Sequence, residues 1–246
     1  MSNNCVVLYS GGMDSTVVLH YALDLFDKVT ALTFDYGQRH LIELDSAERY
    51  IANLDNSKIQ HINLNIKDIG QNLTSSALTN SSIDVPNVKD VLGDPQTVTY
   101  VPNRNMMFLS IAAAFAESQN ASTVFYGAAQ ADDTSGYWDC TQSFRTLIND
   151  ILSLNRRNII KIEAPLIDLN KKQIIEMGLK YKVDFKMTHT CYHPNTYGKF
   201  KFMPRSCGVC SSCSARIAGF VNAGYIDPIE YSKQIPWQDF NCAPLY

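Results

Sequence analysis

Two groups of residues have the types and spacing to do chemistry: the cysteines Cys191, Cys207, Cys210 and Cys213, and the small polar string Ser10-Gly11-Gly12-Met13-Asp14-Ser15-Thr16. The cysteines follow a C-x15-C-x2-C-x2-C pattern. Two successive two-residue gaps let three thiolates converge on one ion. A fourth from a distant turn completes the tetrahedral sulfur set that Zn²⁺ prefers, with an iron–sulfur cluster as the competitor. Gly208 suits the tight turn between ligands, and His193 is a spare nitrogen beside four thiols. Four sulfurs leave no coordination position open, so the metal is expected to be structural. Scattered buried thiols are the plain alternative, and that reading fits Cys5, which lies inside an apolar run.

The Ser10–Thr16 string follows that run and precedes a helical pattern. In this position main-chain N–H groups and the positive end of the helix attract an oxyanion, and glycines let the backbone approach it closely. The hydroxyls of Ser10, Ser15 and Thr16 add donors. Neither the lysine of a GxxxxGK[ST] loop nor GxGxxG spacing is present, so Walker-type and dinucleotide loops are excluded. An ordinary turn with a serine cap is the plain alternative.

These groups must be carried by a scaffold, and the apolar pattern predicts one. Strands are expected at Cys5–Tyr9, Val29–Phe34, Ile59–Leu64, Thr123–Tyr126 and Ile159–Ile162. Helices are expected after Gly12, at Leu41–Leu54, Asn103–Gln119, Thr141–Leu154, Lys171–Lys180 and about Ser211–Ala223. Strands alternating with helices imply an α/β fold, a parallel sheet with helices on both faces. Residues 65–100 read as a long polar loop, and from Thr188 onward cysteine, histidine, proline and aromatics mark a small helical module stapled by the metal. The division expected is 1–186 for the main domain and 187–246 for the metal-binding module.

With 246 residues, 46% hydrophobic and 18% charged, the chain has ordinary globular composition. A net charge of -3 has the wrong sign for a general nucleic-acid binder and favours a small metabolite as partner. No apolar run is long enough for a membrane span, and the first residues lack the basic start of a signal peptide, so a cytoplasmic setting is expected.

The string from Ser10 to Thr16 resembles the pyrophosphate loop of the N-type ATP pyrophosphatases, the PP-loop family. Five further strings narrow the resemblance to its 7-cyano-7-deazaguanine synthase branch in queuosine biosynthesis. They are Phe34-Asp35-Tyr36-Gly37-Gln38-Arg39-His40, Tyr100-Val101-Pro102-Asn103-Arg104-Asn105, Asp133 through Cys140, Ala164-Pro165-Leu166 and Val183-Asp184-Phe185. With Cys207 through Cys213 they cover nearly the whole chain in family order.

This resemblance implies an ATP-dependent carbon–nitrogen ligase. In it, 7-carboxy-7-deazaguanine is adenylated, aminated by free ammonia and then dehydrated to the nitrile. It implies ATP with Mg²⁺ and a homodimer, beside the one structural Zn²⁺ expected from the cysteine spacing and the absence of a nucleic-acid partner expected from the net charge. Ser10, Gly11, Gly12, Met13, Asp14, Ser15 and Thr16 are then expected to hold the pyrophosphate, with Asp14 near Mg²⁺. Arg39 and Arg104 suit a carboxylate or phosphate, and His40 and Asp133 are candidates for proton transfer. Tyr36, Arg104, Asn105, Ser135, Gly136, Tyr137 and Asp139 are expected around the base, with Trp138 another possible stacking ring.

Two features depart from the family pattern. Trp138 stands where the family usually has proline, and the stretch from Cys191 to Cys207 is longer than usual, with a basic, aromatic insertion at residues 193–205. Two rivals stand beside this reading. One is tRNA thiolation, which needs a basic surface; the other is an inactive zinc-containing nucleotide sensor.

Overall fold

The computed structural model describes residues 3–39, 42–90, 98–129, 137–156, 158–194 and 205–246. The first apolar run forms β1 (Asn4–Leu8), in which Cys5, Val6 and Val7 are all buried. Burial on both faces is the mark of a central parallel strand. The chain continues through α1 (Met13–Leu25), β2 (Lys28–Asp35), α2 (Ile42–Leu54) and β3 (Ile59–Asn65). It then returns by α3 (Lys67–Gly70) and α4 (Arg104–Ser118) to β4 (Thr123–Phe125), α5 (Gln142–Ser153) and β5 (Lys161–Glu163). The last long elements are α6 (Lys171–Lys180) and α7 (Ser211–Ala223), followed by the short pair β6 (Tyr225–Ile226) and β7 (Ala243–Pro244).

All five main strands are parallel, in the order β3-β2-β1-β4-β5. The side-chain alternation of β1 divides the core. Cys5 and Val7 join Val17, Val18, Ala47, Ile174 and Phe220 on one face, whereas Val6 joins Leu109, Ala112, Phe144 and Ile148 on the other. Because Phe220 belongs to the first of these cores, α7 packs on the sheet domain rather than standing apart. The strand order reverses direction between β1 and β4. At such a switch point the loops at the strands' C-terminal ends diverge and leave a crevice.

The strand expected at Ile159 starts at Lys161, because β4 is three residues long and its Thr123 pairs with Lys161; Ile159 is left exposed. Residues 65–100 contain more structure than their polar composition suggests, with α3 and a 3-10 turn at Val88–Asp90 among the described residues. No described helix is long and apolar enough to cross a membrane.

Candidate active site and metal centre

The switch point carries a cleft of about 260 Å³, bounded by the ends of β1 and β2, by Tyr126 and Gly127 after β4, and by Arg104 and Asn105 of α4. A second hollow of about 250 Å³ shares Asp14, Arg104 and Tyr192 with it and reaches Lys171 and α7. Ser10, Asp14 and Ser15 of the glycine string line the cleft. Gly11 adopts φ +75°, and a β-carbon there would stand 2.6 Å from the backbone nitrogen of Ala47, so glycine alone fits the close approach of this loop to α2.

Hydroxyls hold the loop in shape. Ser15 Oγ accepts from Ser10 N at 3.2 Å and donates to Gly12 O at 3.2 Å, and Thr16 Oγ1 donates to Gly12 O at 2.8 Å. Thr16 is fully buried and Met13 sits in the core, so these two shape the loop from beneath. Gly12 caps α1 without a side chain, which leaves the N–H groups of the first turn available to an anion.

Asp14 also faces the cleft. Its Oδ2 accepts from Lys171 Nζ at 2.6 Å, while its Oδ1 is buried without a hydrogen-bond partner. Reading the sequence missed Lys171. A signal existed: α6 opens with Lys171 and Lys172 directly after its Asn170 cap, and cations there oppose the helix dipole.

Of the other residues expected in the site, Tyr36, Arg104 and Asn105 line the main cleft. Asn103, left-handed at φ +54°, turns the chain into α4 just before Arg104. Burial works against the Arg104 cation, yet the guanidinium stays charged and hydrogen-bonds to Tyr36. Asp139 is buried, and its Oδ2 accepts from Asn105 N at 3.3 Å, so it anchors the start of α4. Tyr137 stacks on Tyr100 and exchanges a hydrogen bond of 2.9 Å with Thr99. It borders the second hollow.

Arg39 is not among the cleft-lining residues; its Nη1 donates to Ile83 O at 2.9 Å. Trp138 likewise stands outside, with its Nε1 donating to Tyr100 OH at 2.9 Å and its ring set edge-on to Phe144. The departure from the family proline therefore does not alter the described wall of the cleft. His40, Asp133, Ser135 and Gly136 lie outside the described residues. Three residues that sequence reasoning did not single out, Glu43, Tyr192 and Ser212, also line the cleft.

The four cysteines come together. Their sulfurs all lie within 4.8 Å of one another, and Cys207 Sγ is 3.9 Å from Cys213 Sγ. Ligands 2.3 Å from a single zinc ion stand about 3.8 Å apart, so the set fits one tetrahedral ion. Backbone N–H groups of His193 and Cys207 point at Cys191 Sγ, those of Val209 and Cys210 at Cys207 Sγ, and that of Cys213 at Cys210 Sγ. Such donors stabilise thiolates. Gly208, at φ +77°, makes the turn expected of it, and His193 contributes its backbone rather than its ring. Cys5 stays in the core, where burial pushes its thiol up to about 12 and leaves it unreactive.

The two sites share a wall. Cys191 lies between Thr190 and Tyr192, both of which line the cleft, and Ser212, between Cys210 and Cys213, donates to Thr190 O at 2.8 Å. Behind this wall Arg216 donates to both carboxylate oxygens of Asp227, at 2.7 and 2.9 Å, and to Thr188, Thr190 and the Phe185 carbonyl. All five guanidinium donors are thereby occupied in a site that excludes water.

Comparison with known proteins agrees with this geometry. The family model described as "Queuosine biosynthesis protein QueC" matches residues 4–224. A 7-cyano-7-deazaguanine synthase of Thermoplasma volcanium is 39% identical, with 100% of this chain and 98% of the relative aligned. Enzymes of the same name from Picrophilus torridus, 45% identical over 92% of this chain and 90% of the relative, and Syntrophotalea carbinolica, 38% over 96% and 99%, match similarly. With a cleft at the switch point, a glycine-rich anion loop, a thiolate cluster and these relatives, the chain belongs to the QueC family of queuosine biosynthesis and is an enzyme.

Proposed function

We propose that this enzyme converts 7-carboxy-7-deazaguanine and ammonia into 7-cyano-7-deazaguanine at the expense of ATP. The observation that carries this reading is the pairing, in one cleft, of an uncapped glycine loop with the charged Arg104 and the aromatic Tyr36. A carboxylate oxygen attacks the α-phosphorus and pyrophosphate leaves. Ammonia then displaces AMP to give an amide, and a second activation, at the amide oxygen, lets that oxygen depart with AMP and leaves the nitrile.

The chain's own residues each have a part in this. N–H groups of the loop stabilise the departing pyrophosphate. Arg104 holds the substrate carboxylate in line with the α-phosphorus, which supplies proximity. Tyr36 stacks on the planar ring. The unpartnered Oδ1 of Asp14 suits Mg²⁺, which supplies charge neutralisation on the triphosphate when bound. Lys171 would steady the same carboxylate from its other oxygen.

The compact sulfur set favours Zn²⁺ over an iron–sulfur cluster, in which several irons hold the thiolates farther apart. In this reading residues 1–186 form the ATP pyrophosphatase domain and residues 187–246 the zinc module, in the cytoplasm. Leu147, Ile151 and Leu154 form an exposed apolar stripe along and just beyond α5, which supports the expected homodimer.

Mass spectrometry of the deazapurine after incubation with ATP, Mg²⁺ and ammonium tests the reaction. The nitrile should appear together with AMP and pyrophosphate, and ammonium rather than glutamine should support it. Formation of ADP and phosphate alone overturns the reading.

A further inference from the structure

We propose that Glu43 takes the proton from ammonium when the activated carboxylate is aminated, an assignment that rests on the amide-forming reaction proposed above. Glu43 is in the first turn of α2 and lines the cleft with Tyr36, Arg104 and Tyr192. Backbone contact sets its position relative to the glycine loop. A β-carbon on Gly11 would lie 3.0 Å from the Glu43 carbonyl oxygen, so the loop rests on the very turn that carries this side chain. The loop takes the phosphates and Arg104 the carboxylate, and the carbon to be aminated lies between them. A side chain rooted beside the loop and facing Arg104 therefore borders the space that the nitrogen must enter.

The other described carboxylates here are engaged, Asp14 by Lys171 and Asp139 by the backbone N–H of Asn105. Among the described residues Glu43 is in no ion pair and accepts no side-chain hydrogen bond. Among the described residues, Arg104 of α4, Tyr36 beyond β2 and Tyr192 beside the thiolate cluster are the titratable groups that face it. Burial keeps both phenols neutral by raising them, so among the described groups that face Glu43 the charge is on Arg104. Burial also pushes the Glu43 carboxyl up to about 7, against the pull of Arg104. A base poised there is ionised near neutral pH and still basic enough to accept a proton.

In the step itself, a Glu43 carboxylate oxygen accepts one proton from ammonium. The lone pair left on nitrogen forms the bond to the acyl carbon, and the carbon–oxygen bond to the phosphate breaks as AMP leaves with its electron pair. The nitrogen loses a second proton to water, and Glu43 returns its own proton to solvent before the next turnover.

The test separates the two half-reactions in Glu43→Gln, which keeps the shape of the side chain. Carboxylate-dependent exchange of pyrophosphate into ATP, which needs no ammonia, should stay within about two-fold of wild type, whereas amidation by ammonium should fall by about 10²-fold or more. Hydroxylamine is uncharged at neutral pH and needs no base to free its lone pair, so it should restore the variant to near the wild-type rate.

The pH profile gives a second readout. Wild-type amidation at fixed total ammonium should rise to a plateau just above neutrality. The variant should keep climbing until free ammonia itself predominates. Equal losses of exchange, hydroxylamine reaction and amidation would make Glu43 a structural or binding residue, and an unchanged ammonium rate and profile would remove it from the step; either overturns the proposal. Absence of exchange in the wild-type enzyme would instead strike at the adenylation reading on which the proposal rests.

Discussion

Both the thiolate cluster and the glycine loop aim backbone N–H groups at negative charge, but the charge has different owners. Around the cysteines five such groups point at three sulfurs that the chain supplies, and two of those sulfurs, on Cys191 and Cys210, belong to buried residues. At the start of α1 the cap is a glycine and no side chain satisfies the first turn. A site that supplies its own charge is closed and returns its binding energy as folding energy. A site that awaits charge from a visitor must be stiff beforehand, which explains why Ser10, Ser15 and Thr16 spend hydroxyl bonds on the loop itself. The shared wall of Thr190, Tyr192 and Ser212 connects the two.

The largest effect expected is on the closed site. Metal binding to structural thiolate sites is worth on the order of 10 kcal/mol, so Cys210→Ser should lower metal content and melting temperature together. Elemental analysis paired with a thermal melt checks this, and the wild-type protein should be colourless with about one zinc per chain. If the variant kept its melting temperature and activity without any zinc, the metal would be dispensable and the contrast with the loop would collapse.

Next comes the ion pair behind the wall. Arg216→Met leaves Asp227 as an unmatched buried charge and should cost about 3–5 kcal/mol in denaturant unfolding. Tyr231 OH, which donates to Asp227 Oδ2 at 2.6 Å, compensates only in part. Because zinc and this pair hold the same segment by separate means, the metal content of the folded fraction should remain near that of wild type. Loss of zinc from that folded fraction would show that the two staples are one unit.

On the open site, Asp14→Ala should reduce kcat by about 10²–10³-fold, or roughly 3–4 kcal/mol in the barrier, with little change in the melt. Its pair with Lys171 is partly exposed, so its loss is tolerated by the fold. A fall in stability matching that of the cysteine variant would erase the difference between the two regions.

What was legible from the residues follows the same division. The loop and three of the four cysteines are contiguous strings whose geometry is set by local turns, and both assembled where spacing placed them. Arg104 was legible because it opens a long apolar helix. Lys171 and Glu43 were not, because α6 and α2 are brought to the second hollow and to the cleft by the sheet topology rather than by neighbours in sequence, and Tyr192 was not, because only the folded cysteine cluster shows which way its segment faces. Arg39 shows the converse. Its string suggested a site residue, yet its guanidinium reaches Ile83 O in the segment between α3 and α4.

The smallest effect tests the shared wall itself. Tyr192 follows a metal ligand, lines the cleft, and faces Arg104 and Glu43. Thr190 and Tyr192 flank Cys191 and both line the cleft, so the metal ligand is set between two residues of its wall. Tyr192→Phe removes one hydroxyl and keeps the ring, so it should cost about 1 kcal/mol, or about five-fold in kcat/KM. Zinc content and melting temperature should be unchanged, because the sulfurs are held by backbone N–H groups that the substitution does not touch. Measuring kcat/KM, metal content and a melt on one preparation checks all three. A metal-dependent loss of stability in Tyr192→Phe would mean that the wall belongs to the staple rather than to the cleft, whereas a kinetic loss alone shows the closed site positioning a residue of the open one.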